Sequence, residues 1–151
     1  MPLAVTDSAQ GKRILFVAVA VLSLAGMVDS AIALQRHYAK SDTTYCDFGQ
    51  KFSCDIVNRS EYSTVLGIPV AGIGIAGYGA LFMLSTFWRS RPETPNRLLG
   101  AAIIGLAVAL YLTYIEAYAL TTWCILCLSS LFLIFVISVL ATAIRLRTTA
   151  P

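Results

Sequence analysis

Trp123-Cys124-Ile125-Leu126-Cys127 opens an apolar run that continues to about Ile144. That length is roughly the 20 residues a helix needs to cross a bilayer. Thiols at a helix start sit near the positive end of the helix dipole, and those of Cys-x-x-Cys pairs commonly ionise more readily than ordinary ones. The thiolate is the reactive species. The stretch therefore reads as a redox pair at a membrane surface, with Cys127 one helical turn deeper than Cys124.

Outward from it, three more apolar runs precede this one. Together they predict an all-α membrane protein, a four-transmembrane-helix bundle with helices at about 14–34, 67–88, 98–120 and 123–144. The bundle domain is expected over 12–147. Residues 1–11, small and polar, are expected to form a disordered cytoplasmic tail. Composition agrees: of 151 residues 58% are hydrophobic and 13% charged, about half the charged share of a soluble domain. Mean hydropathy is +0.76. The net charge of +3 is spread in ones and twos, which gives no basic patch for nucleic acid.

The first run also resembles a secretory signal, with Lys12 and Arg13 before it and Ala31-Ile32-Ala33 as an Ala-x-Ala pattern. It is long for that, and a retained helix is expected. The second run contains Gly72-Ile73-Gly74-Ile75-Ala76-Gly77, a formal match to the dinucleotide pattern. No strand or βαβ unit accompanies it, so the glycines read as close helix packing. Gly67-Ile68-Pro69 is expected to open this helix, proline being tolerated in a first turn.

Residues 35–66 form the one long polar stretch, and it carries Cys46 and Cys54. Short surface helices are expected there. Topology follows from the basic residues near helix ends. Of the 11 Lys and Arg residues, Lys12, Arg13, Arg89, Arg91, Arg97, Arg145 and Arg147 fall on one side, against four in the charge-balanced loop. Both termini are therefore expected in the cytoplasm, with the 35–66 loop and the 121–123 turn outside. All four cysteines then face the same exoplasmic space.

Four cysteines allow three connectivities, and the residues alone leave them open. Exchange through a mixed disulfide would carry electrons from the loop pair to the helix pair. Cys124, nearer the surface, suits exchange. Cys127, facing the bundle, suits contact with a lipid-soluble oxidant. A zinc site is disfavoured by the seven residues between Cys46 and Cys54, more than the usual two to four. Tyr111, Tyr114 and Tyr118 share a helix face, either as packing or as an aromatic wall with hydroxyl donors for a quinone. Glu116 and Asp29 are carboxylates in apolar runs, read either as functional candidates or as groups close enough to the surface to be merely solvated. His37 reads as a solvated loop residue.

Cys46-x7-Cys54, the segment Cys54-Asp55-Ile56-Val57-Asn58-Arg59-Ser60-Glu61-Tyr62-Ser63, Gly67-Ile68-Pro69-Val70, and a final Cys124-Ile125-Leu126-Cys127 resemble the vitamin K epoxide reductase family. The Gly-Ile-Pro-Val element is similar to its bacterial and archaeal single-domain branch. The resemblance implies a four-helix bundle around a quinone, of ubiquinone or menaquinone (vitamin K) type, in a prokaryotic inner membrane. It implies that Cys127 contacts the quinone and Cys124 resolves it. Cys54 would exchange with Cys124, and Cys46 would receive electrons from a thioredoxin-like protein. Ser60 matches a family serine near the transfer point, and Tyr111 matches a family tyrosine.

Animal enzymes carry a tyrosine where this chain has Leu131, and a pocket asparagine in helix two where it has Gly67-Ile68-Pro69-Val70. Many bacterial members fuse a thioredoxin-like domain. Here the chain stops at Pro151, so a separate partner is expected. Two other readings fit the same residues: a quinone or epoxide reductase proper, and a non-enzymatic four-helix scaffold with structural disulfides.

Overall fold

A computed structural model describes residues 2–39, 46, 49 and 51–149, with side chains from residue 9 onward. Four long helices carry the architecture. Helix α1 runs Pro2–Tyr38, α3 Val70–Thr86, α4 Thr94–Ile115 and α5 Ile125–Thr149; a short α2, Cys54–Asn58, lies in the polar stretch. Helix α4 continues without a break into a π-helical turn, Glu116–Leu120.

The helices stay apolar on their outer faces, as they must when no water reaches them. Val17, Val21 and Val28 of α1, Ile103 and Ile104 of α4, and Phe132, Phe135 and Val139 of α5 are all exposed. Three helices are long and apolar enough to cross a membrane: Ala9–Tyr38, Thr94–Leu120 and Ile125–Thr149. Helix α3 is apolar but has only 17 residues, about 25 Å of helix, somewhat less than the hydrocarbon core.

The core lies where α1 packs on α3 and α5, and α4 on α5. Phe16 and Val19 of α1 meet Leu81, Leu98, Ala102, Ile137 and Ala141 there. Gly26 lets the Tyr78 ring lie directly on the α1 backbone; a methyl group at that position would overlap the ring.

Three local differences from the sequence expectations have physical causes. The segment 2–11 continues α1 instead of forming a tail. Once an apolar run has nucleated a helix, each added residue gains a hydrogen bond, and Pro2 suits a helix start. At its other end α1 extends to Tyr38, so His37 is helical and not in a loop. The third difference is a hairpin at Gly67-Ile68-Pro69. Strand β1, Thr64–Val65, pairs antiparallel with β2, Ile68–Pro69. Leu66 (φ 53) and Gly67 (φ 82) make the turn, with the positive dihedrals a two-residue hairpin requires. Pro69 is extended and caps α3 from outside.

Candidate functional site

The polar stretch is tied to the start of α5 by main chain. Trp123 N–H donates to the Lys51 carbonyl at 2.8 Å, and Ser53 N–H donates to the Trp123 carbonyl at 3.1 Å. This parallel bridge centres on Phe52 and Trp123. Cys54 follows two residues after Phe52, and Cys124 directly after Trp123. Ser53 is also the N-cap of α2, its Oγ accepting from Ile56 N–H at 3.4 Å, so Cys54 begins that helix. Cys124 sits just before α5, where its carbonyl accepts from Leu128 N–H.

All four cysteines come together in one cluster with Val57, Leu120 and Leu126. Cys46 and Cys54 form a disulfide with Cα atoms 5.7 Å apart. Cys124 and Cys127 are free thiols. Cys46, Cys54 and Cys124 are fully buried. Depth along the helix puts Cys124 nearer the surface, but the cluster around the loop disulfide covers it. Cys127 is partly open instead, and lines the main cavity.

Two polar side chains complete the cluster. Asn58 Nδ2 donates to the Cys54 carbonyl at 2.9 Å and to Cys124 Sγ at 3.8 Å. Glu116 Oε2 accepts from Cys124 N–H at 3.1 Å, and Glu116 lines the same cavity as Cys127. The π turn after Ile115 accompanies this placement; such turns recur at functional positions. The Cys124 thiol is held below its ordinary value by the hydrogen bond with the Cys127 side chain, which outweighs the opposing effect of burial. Its ionisation is easier than that of an ordinary thiol, which favours it as the attacking sulfur.

The cavity holds about 400 Å³ between α1, α3, α4 and α5, within the range of small-molecule sites. Its walls are mainly aliphatic, with Leu81, Ile104, Val108 and Leu112 among them. Polar groups gather at two places. His37, Asn58, Ser60 and Ser63 line one part; Asp29, Tyr78 and Ser130 line another. The His37 ring Nδ1 bonds the Asn58 carbonyl and stands 3.3 Å from Ser63 Oγ. Ser60 Oγ donates to the Val57 carbonyl at 2.8 Å. Ser129 Oγ donates to Asp29 Oδ1 at 2.6 Å, and Tyr78 OH lies 2.9 Å from Ser130 Oγ. An apolar pocket with a thiol and a few polar groups in its wall fits a quinone head and the start of its tail. Among the described residues no group of three His, Cys, Asp or Glu side chains is placed for a metal ion.

Ser60 and the four cysteines thus meet at one end of the bundle. Tyr111, Tyr114 and Tyr118 do not join them. All three are exposed, at 63%, 61% and 74%, and Tyr114 packs on Tyr118 with ring centroids 4.7 Å apart. At about 100° per residue, their stripe on α4 lies roughly a third of a turn from the one holding Val108, Leu112 and Glu116. They do share a face, but it is not the cavity face. Asn58 was legible as one helical turn beyond Cys54, an i, i+4 signal. His37 and Tyr78 gave no local signal, since α1 and α3 bring them in from far along the chain.

No curated protein matches the chain. The family described as the Vitamin K epoxide reductase family matches residues 17–142, a span running from α1 into α5 and including all four cysteines. This chain therefore belongs to the vitamin K epoxide reductase family and is an integral-membrane oxidoreductase of disulfide chemistry.

Proposed function

We propose that the chain passes electrons from a thioredoxin-like partner through Cys46/Cys54 to Cys124/Cys127 and on to a membrane quinone, so supporting disulfide formation in exported proteins. A quinone supplies the acceptor for two electrons and two protons. Four spans, with α3 as the shortest, put both termini in the cytoplasm and the cysteines outside; the charge distribution supports this orientation. The chain is then of the bacterial and archaeal type, acting with a thioredoxin-like protein as its partner.

The observation that carries the reading is the placement of the free pair. Cys124 faces the loop disulfide under Asn58, and Cys127 faces the cavity. Each cysteine of the pair therefore has a different neighbour to react with. A reduced Cys46/Cys54 pair attacks Cys124 of an oxidised helix pair through Cys54. The mixed disulfide Cys54–Cys124 is then resolved by Cys46. The arrangement described here, loop pair joined and helix pair free, corresponds to the state after that transfer. In that state Asn58 donates toward the sulfur that has just left. Ser60 positions the turn after α2. A scaffold held by two structural disulfides has no use for a free dithiol in a cavity wall.

The test follows quinone absorbance with purified protein and a small dithiol, wild type against Cys127→Ser. Turnover that depends on Cys127 is the expected result. Absence of turnover with ubiquinone and menaquinone analogues, or turnover unaffected by the substitution, overturns the reading.

A further inference from the structure

Glu116 is the acidic side chain that the thiol relay leaves without a task. It is 1% exposed. Its Oε2 holds the Cys124 N–H, while Oε1 has no hydrogen-bond partner of its own. Glu116 lines the cavity together with Cys127. Burying a carboxylate is unfavourable unless it is paired or neutralised, and inside a membrane protein such a group is a functional candidate. No Lys or Arg lines the cavity among the described residues. The titratable groups around Glu116 are the Cys124 and Cys127 thiols at the start of α5. Asp29 and His37 of α1 and Tyr78 of α3 line the same cavity.

The groups also lie in order. Cys124 N–H donates to Glu116 Oε2, Cys124 and Cys127 belong to one side-chain cluster, and Cys127 and Glu116 line the same cavity. We propose that Glu116 is the proton relay of the second half-reaction, taking thiol protons at Cys127 and passing them to the quinone oxygens. The inference rests on the reading above, that a quinone reoxidises the pair. Reoxidation breaks the S–H bonds of Cys124 and Cys127, forms one S–S bond, and delivers two electrons and two protons to the quinone, giving the quinol. The Cys127 proton leaves directly to Glu116. The Cys124 proton reaches it through the Cys127 sulfur. Glu116 ends the cycle in the protonation state in which it began.

Glu116→Gln keeps an oxygen for the Cys124 N–H but cannot accept a proton. Its dithiol-reduced form is mixed with a water-soluble quinone over a range of pH. Expected is a loss of about a hundredfold or more in quinone reduction, the scale of general acid–base catalysis. The pH profile of quinone reduction should differ between the two proteins, because the variant lacks the group that carries the protons. A second readout needs no quinone. It follows the Cys124 thiolate by its ultraviolet absorbance in a Cys127→Ser background. Adding Glu116→Gln to that background should let the thiolate form at lower pH, since the carboxylate charge opposes its ionisation.

Wild-type quinone reduction matched by Glu116→Gln, in rate and pH profile, overturns the relay. So does a slow variant whose Cys124 titration is unmoved, which marks Glu116 as a structural support. A wild type that reduces no quinone removes the acceptor reading, and the relay falls with it.

Discussion

Trp123 and Lys51 share a main-chain hydrogen bond of 2.8 Å, and this contact sets which cysteines can exchange. With the reciprocal Ser53–Trp123 bond it fixes the register of the polar stretch against the start of α5, bringing Cys54 alongside Cys124. Ser53→Pro removes the N–H of that second bond. It also conflicts with the φ of −145° at Ser53, since proline holds φ near −65°. Loss of one hydrogen bond and one helix cap amounts to about 2 kcal/mol, or about thirtyfold in rate. Trapping of the Cys54–Cys124 mixed disulfide should slow by that order, while small dithiols still reduce Cys124/Cys127. Equal slowing of both steps would contradict the role of the bridge.

Asn58 supplies a donor to Cys124 Sγ. Asn58→Ala should slow exchange between Cys54 and Cys124 about tenfold, the equivalent of about 1.4 kcal/mol. Asn58→Asp should slow it further, because a carboxylate there repels the Cys124 thiolate. Quenched-flow alkylation followed by mass spectrometry reads both. An aspartate variant as fast as wild type would show that the contact plays no part in exchange.

The lowered Cys124 value gives a pH dependence with a definite sign. Its first cause is the Cys127 side-chain hydrogen bond. With that bond present, Cys124 stays thiolate below the ordinary value of 9.0, and its attack on the Cys46–Cys54 disulfide persists as pH falls. Cys127→Ala removes the bond, so attack should weaken at neutral pH and recover as pH rises past 9.0. Release of the Cys46 thiol, counted with a maleimide, follows it. Parallel pH curves in the two proteins would refute the assignment.

Gly26 and Tyr78 test the packing beneath the site. Gly26→Ala forces the Tyr78 ring off α1 and away from Ser130, an overpacking expected to cost about 1–3 kcal/mol. Thermal unfolding in detergent should show a midpoint lower by several degrees. Adding Tyr78→Ala should cost less in this background than in the wild type, because truncating the ring also relieves the clash. Strict additivity would mean that the ring and Gly26 do not interact.

The sequence by itself determined what depends on local chemistry and period. Apolar runs of membrane length specify helices because backbone polar groups must be satisfied within each segment. The two cysteine pairs announce thiol chemistry by their spacing, and Cys124-x-x-Cys127 falls at a helix start as its position indicates. The turn at Leu66-Gly67 was legible in principle from the glycine but was overshadowed by Pro69. What only the tertiary structure decided depends on which faces meet. The rotation of α4 sends Val108, Leu112 and Glu116 into the cavity and Tyr111, Tyr114 and Tyr118 outward, and the tyrosines' own spacing is the same in either case. The bridge at Trp123 buries Cys124 and leaves Cys127 open, reversing the order of exposure that depth along the helix suggests. His37, Tyr78 and Asp29 reach the site from helices distant in sequence, because bundle packing rather than local propensity chooses a cavity's walls.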